Sequence, residues 1–193
     1  MSLLTKPVTL RHATPEDLYA ILQLFDEAAR WIATTGSDQW QSAWHTPDQK
    51  TELIAESIRA QETWILWIGD SRAGTIAVDE YADQALWTPA EQLEPAYYVH
   101  RFIIARAYGG KGLGAAILNW CCDWASRNGK QWIRIDVWTS NRLLQGYYVN
   151  QQFKHVRTIC SEYPSGALFQ RPAAIMDADQ LPIMEPQVRL DNR

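Results

Sequence analysis

The sequence predicts an α/β fold of the α+β type, in which helices flank a mixed, mostly antiparallel sheet of six to seven strands. Two observations indicate this fold. Strand-like alternation and helical periodicity follow one another along most of the 193 residues, and the first half contains a hairpin pattern. In addition, a glycine-rich stretch, YGGKGLGAAIL at 108–118, joins an apolar strand-like run directly to a helix-like one.

The first half of the chain predicts a strand, two helices and a hairpin. VTLRHA alternates like a strand, and Thr14 followed by Pro15 is typical of a helix start. The helix has one apolar face, formed by Leu18, Ile21, Leu22, Phe25, Ala28, Ala29 and Ile32. A second helix begins near Pro47. TWILWIGDSRAGTIAVDE then predicts two antiparallel strands around a turn at Gly69 to Gly74.

The second half predicts alternating strands and helices. AYYVHRFIIARA is the most strand-like run of the chain, and the helix after the glycine-rich stretch ends near Gly129. The remaining segments are the strand KQWIRIDVW, the short helix SNRLLQGYYVNQQ and the strands FKHVRTIC and SGALFQRP. We expect a single domain over 1–175, followed by a tail of uncertain order over 176–193.

Composition excludes several classes of protein. The net charge is −4, and lysine and arginine are scattered, so no basic stripe is present that would bind nucleic acid. No apolar stretch reaches the ~18 residues of a membrane span, and no signal peptide is evident, so we expect a cytoplasmic protein. The three cysteines suggest neither a disulfide framework nor a metal site, and we expect no metal.

The glycine-rich stretch predicts a phosphate site, because glycine lets a ligand approach the main chain and a helix N-terminus attracts anions. A nucleotide P-loop requires Ser or Thr after its lysine, whereas Lys111 is followed by Gly112. Gly110, Gly112 and Ala115 fit a dinucleotide fingerprint, with Asp136 as its ribose-binding acid. That fold, however, requires the fingerprint at the first strand of a parallel sheet.

Two motifs resemble those of the GNAT superfamily of N-acetyltransferases and cover about residues 98–157. Gly112 and Gly114 match the small positions of the acyl-CoA pyrophosphate pattern [RQ]-x-x-G-x-[GA], whereas Gly109 occupies its Arg or Gln position. NRLLQGYYVNQQF is similar to the second pattern, N-x-x-A-x-x-[LF]-Y-x-x-x-G-F. It matches at Asn141, Tyr148 and Phe153 and departs from the pattern at Leu144 and Gln152. The order and separation of the two motifs also fit the superfamily.

The resemblance implies acetyl-CoA as cosubstrate and acyl donor. Main-chain N–H groups of the loop would hold the pyrophosphate, and the preceding strand would bind the pantetheine through Phe102 and Ile104. The residues predicted to bind the donor are therefore Phe102, Ile104, Gly109, Gly110, Lys111, Gly112, Leu113, Gly114, Ala115 and Asn141.

The resemblance also implies an acid and a base. A tyrosine hydroxyl, with an unperturbed pKa near 10, can protonate a departing thiolate without being ionised at neutral pH, and Tyr148 matches the motif. His100 lies two residues before Phe102, on the same strand face by alternation, and its side-chain type suits a general base. Glu80, Glu94 and Tyr98 stay open as alternative bases.

The acceptor is predicted to be a primary amine of a small molecule, which attacks the thioester directly in a ternary complex. By resemblance, the region after the first long helix would wall the acceptor pocket. There Trp31, Asp38 and Trp40 would hold a cationic amine, with Glu80 nearby. Three alternatives stay open: a donor bound to an acyl carrier protein, a non-catalytic CoA-binding module and, less favoured, a nicotinamide-dependent oxidoreductase. The protein would be a monomer or a homodimer.

Overall fold

The computed structural model describes residues 6–41, 46–159 and 164–177. The strands in these ranges are β1 (Val8–His12), β2 (Thr63–Ile68), β3 (Ser71–Asp79), β4 (Ala96–Ile104), β5 (Trp132–Val137), β6 (Lys154–Thr158) and β7 (Ala167–Pro172). The helices are α1 (Leu18–Ala33), α2 (Pro47–Arg59), α3 (Pro89–Gln92), α4 (Leu113–Arg127) and α5 (Arg142–Asn150). The predicted tail from Met176 lies almost wholly outside the described residues.

The seven strands form one sheet in the order β1-β2-β3-β4-β5-β7-β6. Only β4 and β5 run parallel, and every other neighbouring pair is antiparallel. The predicted mixed, mostly antiparallel sheet is thus confirmed. The parallel sheet that the dinucleotide interpretation requires is not formed, and that interpretation is wrong.

Local capping explains where two of the helices begin. Thr46 and Gln49 exchange hydrogen bonds at the start of α2: each backbone N–H is bonded by the other residue's side-chain oxygen, at 2.9 and 3.3 Å. At the turn before α1, Asp17 accepts from the Thr14 backbone N–H at 3.0 Å. In both places a proline follows the capping threonine, as the sequence predicts.

Helices cover both faces of the sheet. On one face, α1 and α2 bury Ile21, Phe25 and Ile54 against residues such as Ile65 and Ile103. On the other face, α4 and α5 pack on a larger cluster that includes Trp64, Leu66, Ile117, Cys121 and Phe153. Because side chains alternate along a strand, neighbouring β2 residues enter opposite layers. The two layers hold β4 and β5 at the centre of the molecule.

Two local features differ from the sequence prediction. The hairpin turn consists of Gly69 and Asp70 alone, because β3 already begins at Ser71 and contains Gly74. The stretch 81–95, which shows no periodicity, includes the single helical turn α3. None of the helices in the described part of the chain has the length and apolarity that crossing a bilayer requires.

Candidate active site

The site begins where the two parallel strands separate. β4 and β5 pair only from Ala96–Trp132 to Val99–Ile135. Beyond that point β4 continues to Ile104 along β3, while β5 continues to Val137 along β7. The edge of β4 from His100 to Ile104 therefore faces a gap rather than a neighbouring strand.

A β-bulge bends β4 at the start of this gap. Thr75 pairs with Ile103 and Ala77 with His100, so Arg101 and Phe102 lie opposite the single residue Ile76. Arg101 has a φ of +49°, a conformation that is costly for a residue with a Cβ. Its guanidinium donates to Ser57 Oγ on α2 at 2.8 Å, which ties the bulge to the helical layer.

A cavity of about 390 Å³ opens at the bulge, and we call it the inner cavity. Strands β3, β4 and β5 contribute Asp79, His100 and Asp136 to its wall, and α5 contributes Tyr148. Trp40, Tyr81, Asp83, Arg101 and Ser165 also line it. It thus combines titratable groups with aromatic rings.

His100 lies between two carboxylates of the inner cavity. Its Nε2 is 3.3 Å from Asp79 Oδ2, and its Nδ1 is 3.8 Å from Asp136 Oδ1. Asp136 also accepts from Ser165 Oγ at 2.6 Å, and burial raises the pKa of Asp136. An imidazole oriented by a carboxylate on one nitrogen has the arrangement of a general base.

Tyr148 is almost fully buried in the opposite wall, and its ring packs edge-on against Phe153. Burial raises the pKa of its hydroxyl, which keeps the group protonated. Among the described residues, none accepts a hydrogen bond from this hydroxyl. It can therefore donate to a ligand in the inner cavity.

A second cavity of about 280 Å³, the outer cavity, adjoins the first. It is lined by the predicted pantetheine-binding residues Phe102 and Ile104 and by Asn141 and Tyr147 of the second motif. The two cavities share four lining residues, namely Gln39, Trp40, Phe102 and Leu144. The outer cavity thus lies next to the cavity that contains His100 and Tyr148.

Asn141 and Tyr147, which line the outer cavity, contact neighbouring elements of the fold. Asn141 caps α5, because its Oδ1 accepts from the Leu144 N–H at 3.0 Å, and its Nδ2 donates to Gln39 Oε1 at 2.6 Å. Tyr147 lies against the glycine-rich loop, where a Cβ on Gly114 would collide with its hydroxyl. The two adjacent tyrosines therefore contact different parts of the site. Tyr147 faces the loop, and Tyr148 lines the inner cavity.

The glycine-rich loop leads directly into α4. Gly110 and Gly112 have φ values of +74° and +78°, which favour glycine, and Gly112 is the N-cap. Apart from the adjacent residues in the chain, no atom of the described residues lies within 4 Å of a Cβ built on either glycine, so the loop surface is open there. Leu113, by contrast, is buried and anchors the helix start, while Lys111 lies over the Tyr108 ring. The loop thus presents exposed main chain at a helix N-terminus, as an anion site requires.

The predicted acceptor residues do not come together. Trp40 lines both cavities, whereas Trp31 lines only the outer one. Asp38 lies outside both linings and accepts hydrogen bonds from Trp138 Nε1, at 2.8 Å, and from Ser140 Oγ. Glu80 also lies outside both linings and forms an ion pair with Lys130 at 2.7 Å.

The chain resembles known proteins in sequence and in fold. The model of the Acetyltransferase (GNAT) family matches residues 19–153, well over half of the chain. The chain belongs to the GNAT family. Members of the GNAT family are acyl-CoA-dependent N-acetyltransferases, and this GNAT protein is therefore an acyltransferase.

Individual relatives agree with the GNAT assignment. An uncharacterized N-acetyltransferase, YesJ of Bacillus subtilis (strain 168), is 26% identical over 155 residues, covering 78% of this chain and 84% of the relative. A GNAT acetyltransferase structure from Listeria monocytogenes 4b F2365 has a TM-score of 0.70 at 24% identity, covering 86% of this chain and 94% of the other. The PaiA N-acetyltransferase of Thermoplasma acidophilum, solved in complex with coenzyme A, has a TM-score of 0.66 at 17% identity, with coverages of 86% and 98%.

The GNAT motifs did not reveal several residues of the site. Asp79, Asp83 and Arg101 line the inner cavity, but none of the three occupies a defined position of either motif. Asp136 attracted notice only as a ribose-binding acid in the rejected dinucleotide interpretation. The one feature of the sequence that could have indicated Asp136 as a site residue is its position near the end of a predicted strand.

Proposed function

We propose that this GNAT acyltransferase moves an acetyl group from acetyl-CoA to a primary amine of a small molecule. The amine attacks the thioester directly while both substrates are bound. The supporting observation is that the two cavities adjoin and share four lining residues, with the glycine-rich loop beside the outer one and the His100 carboxylate cluster in the inner one. Donor and acceptor can therefore meet at Phe102 and Leu144.

The donor occupies the loop and the outer cavity. N–H groups of residues 110–115 bind the pyrophosphate, supported by the dipole of α4. The pantetheine runs along the unpaired edge of β4 at Phe102 and Ile104 and passes Asn141 and Tyr147. The PaiA relative, solved with coenzyme A, supports a CoA site in this fold.

His100 acts as the general base. The alternatives from the sequence have other partners: Glu80 pairs with Lys130, while Glu94 and Tyr98 both bond the buried Arg134. His100 instead borders the inner cavity, where Asp79 orients it. It takes a proton from the ammonium of the acceptor, so that the neutral nitrogen can bond to the acetyl carbon, and the second N–H proton passes to solvent as the amide forms.

Tyr148 acts as the general acid. The C–S bond breaks as the tetrahedral intermediate collapses, and the leaving sulfur takes the proton of the Tyr148 hydroxyl. The products are the acetylated amine and CoA with a free thiol. Solvent protons then restore the tyrosine, and the imidazolium of His100 releases its proton.

The acceptor occupies the inner cavity. Trp40 and Tyr81 offer ring faces, and Asp83 and Asp136 offer carboxylates, a combination that suits a cationic amine. Trp31 lies on the donor side, and Asp38 and Glu80 are engaged elsewhere. The proposed acceptor site therefore keeps Trp40 from the predicted set and replaces the others.

Ligand binding tests the donor. Acetyl-CoA at about 100 times its dissociation constant is expected to stabilise the fold by about 2.7 kcal/mol, whereas NAD is expected to have no effect. Thermal unfolding with each ligand in turn measures the stabilisation that it gives. Release of free thiol from acetyl-CoA across polyamines, aminoglycosides, amino acids and aryl amines then identifies the acceptor. Stabilisation by NAD alone would contradict the proposal. If an acyl group on a carrier protein is transferred faster than that of acetyl-CoA, the carrier protein is the donor instead.

Replacing Tyr148 with phenylalanine tests the acid. The ring and its packing on Phe153 stay, but the proton donor is lost, so kcat is expected to fall about 100-fold with CoA affinity nearly unchanged. We expect the low end of the range for acid catalysis because a thiolate is a good leaving group. Tyr19→Phe is the matched control, since that tyrosine is exposed on α1 and lines neither cavity, and its kcat should stay within a few-fold of wild type. Equal kcat in Tyr148→Phe and wild type would assign Tyr148 to packing.

A further inference from the structure

We infer that Arg106 supplies the side-chain contact to the phosphates of CoA for which the GNAT pattern has an Arg or Gln at position 109. The inference rests on the proposed function, because it concerns the same donor site. In this chain position 109 is glycine and has no side chain to contact a phosphate. Arg106 lies three residues earlier, at the start of the 3-10 turn Arg106–Tyr108 that leads into the loop.

Two contacts hold Arg106 beside the loop, one made by its side chain and one by its backbone. Its guanidinium carbon lies 3.9 Å from the centre of the Trp31 ring, at stacking distance. Its backbone N–H donates to Glu27 Oε2 at 3.0 Å, which fixes the beginning of the turn to α1. Among the described residues, no carboxylate pairs with the guanidinium, so its N–H groups are available to a ligand.

The Arg106 side chain lies next to position 109. A Cβ built on Gly109 would lie 3.6 Å from Arg106 Nη1 and 3.3 Å from the Arg106 carbonyl oxygen. Gly109 has φ −59° and ψ 147°, a conformation open to any residue, so the backbone does not require glycine there. The guanidinium of Arg106 thus lies in contact with the point from which a side chain at 109 would start.

Position and chemistry together favour a phosphate as the partner. Arg106 lines the outer cavity beside Ile104 and Tyr147, and the loop with its open main chain follows three residues later. A planar guanidinium binds phosphate oxygens through two parallel N–H groups. Lys111 is the other cation of the loop, but its ammonium lies over the Tyr108 ring, 5.1 Å from the ring centre. Arg106 is therefore the cation at the junction of cavity and loop.

The test measures CoA binding by calorimetry, which needs no acceptor. Arg106→Ala is expected to raise the dissociation constant of CoA about 10-fold to 100-fold, the loss of a charge-assisted hydrogen bond. Arg106→Lys should lose less, because the charge remains. The double variant Arg106→Ala/Gly109→Arg should recover most of the affinity. Arg59→Ala, which removes an exposed arginine on α2, is the matched control and should bind as wild type does.

Salt separates a charge contact from a packing role. If Arg106 binds phosphate, raising the ionic strength from about 0.05 M to about 0.5 M weakens CoA binding less in Arg106→Ala than in wild type. An unchanged affinity in Arg106→Ala would overturn the inference. So would a loss with an unaltered salt dependence, since Arg106 would then act by stacking on Trp31. If wild type itself fails to bind CoA, the proposed function fails, and that result is distinct from either of these.

Discussion

Replacing His100 with glutamine is expected to lower kcat about 100-fold to 10,000-fold, the usual contribution of general base catalysis. Glutamine approximates the size of histidine and can still bond Asp79, but its amide cannot accept a proton at neutral pH. CoA binding involves the loop and the outer cavity, so the dissociation constant of CoA should change little. Steady-state turnover and calorimetry on the same variant measure both quantities.

Two further variants sharpen the result for His100. His155→Gln is the matched control, because that exposed histidine on β6 bonds Thr158 and lies outside both cavities. Asp79→Asn should lower kcat less than His100→Gln does, since Asp79 only orients the imidazole at 3.3 Å. If His100→Gln keeps the turnover of the wild type, His100 is not the general base, and water or Asp136 must accept the proton.

Replacing Gly112 with valine is expected to raise the dissociation constant of CoA more than 100-fold. A residue with a Cβ pays about 1–2 kcal/mol for a left-handed conformation such as the +78° φ of Gly112, and branching at Cβ adds to this cost. The side chain would also cover the main-chain N–H groups that bind phosphate. Each lost charge-assisted hydrogen bond costs about 1.5–3 kcal/mol, so two of them suffice for the expected loss.

Gly129 provides the control for backbone strain. Its φ is +70°, and within the described part of the chain no atom beyond its chain neighbours lies within 4 Å of a Cβ built on it, as at Gly112. It follows the opposite end of α4, away from the loop. Gly129→Val should therefore lower the melting temperature about as much as Gly112→Val but leave CoA binding intact. If Gly112→Val folds and binds CoA normally, the loop is not the phosphate site.

Local patterns predicted the elements of this fold because their causes are local. Thr14 and Thr46 start helices through partners three residues away, and the glycines of the loop have the positive φ values that their clustering indicates. The GNAT motifs likewise pointed to the splayed strand and to the loop. These signals lie within short stretches of sequence, so they can be recognised without knowing how the strands pair in the sheet.

Long-range partners could not be predicted in the same way. Asp38 and Asp79 are the same type of residue, and only the tertiary structure shows that Asp38 bonds Trp138 while Asp79 faces His100. Alternation placed His100 and Phe102 on one face, and both do line the inner cavity. The bulge between them, however, breaks the regular alternation on which that argument relied, and its presence follows from strand register, which the sequence alone does not reveal.

The gap between β4 and β5 gives the sheet an edge in its own interior. Edges usually lie at the sides of a sheet, where their free N–H and C=O groups invite other chains to add a strand and aggregate. Here the free groups of residues 100–104 lie between two strands that are each paired on their other side. A whole polypeptide strand would need access from both ends of a cleft that closes at Val99 and Ile135. A thin, unbranched chain needs only one open end, so the sheet can offer its backbone to a cosubstrate and still withhold it from another protein.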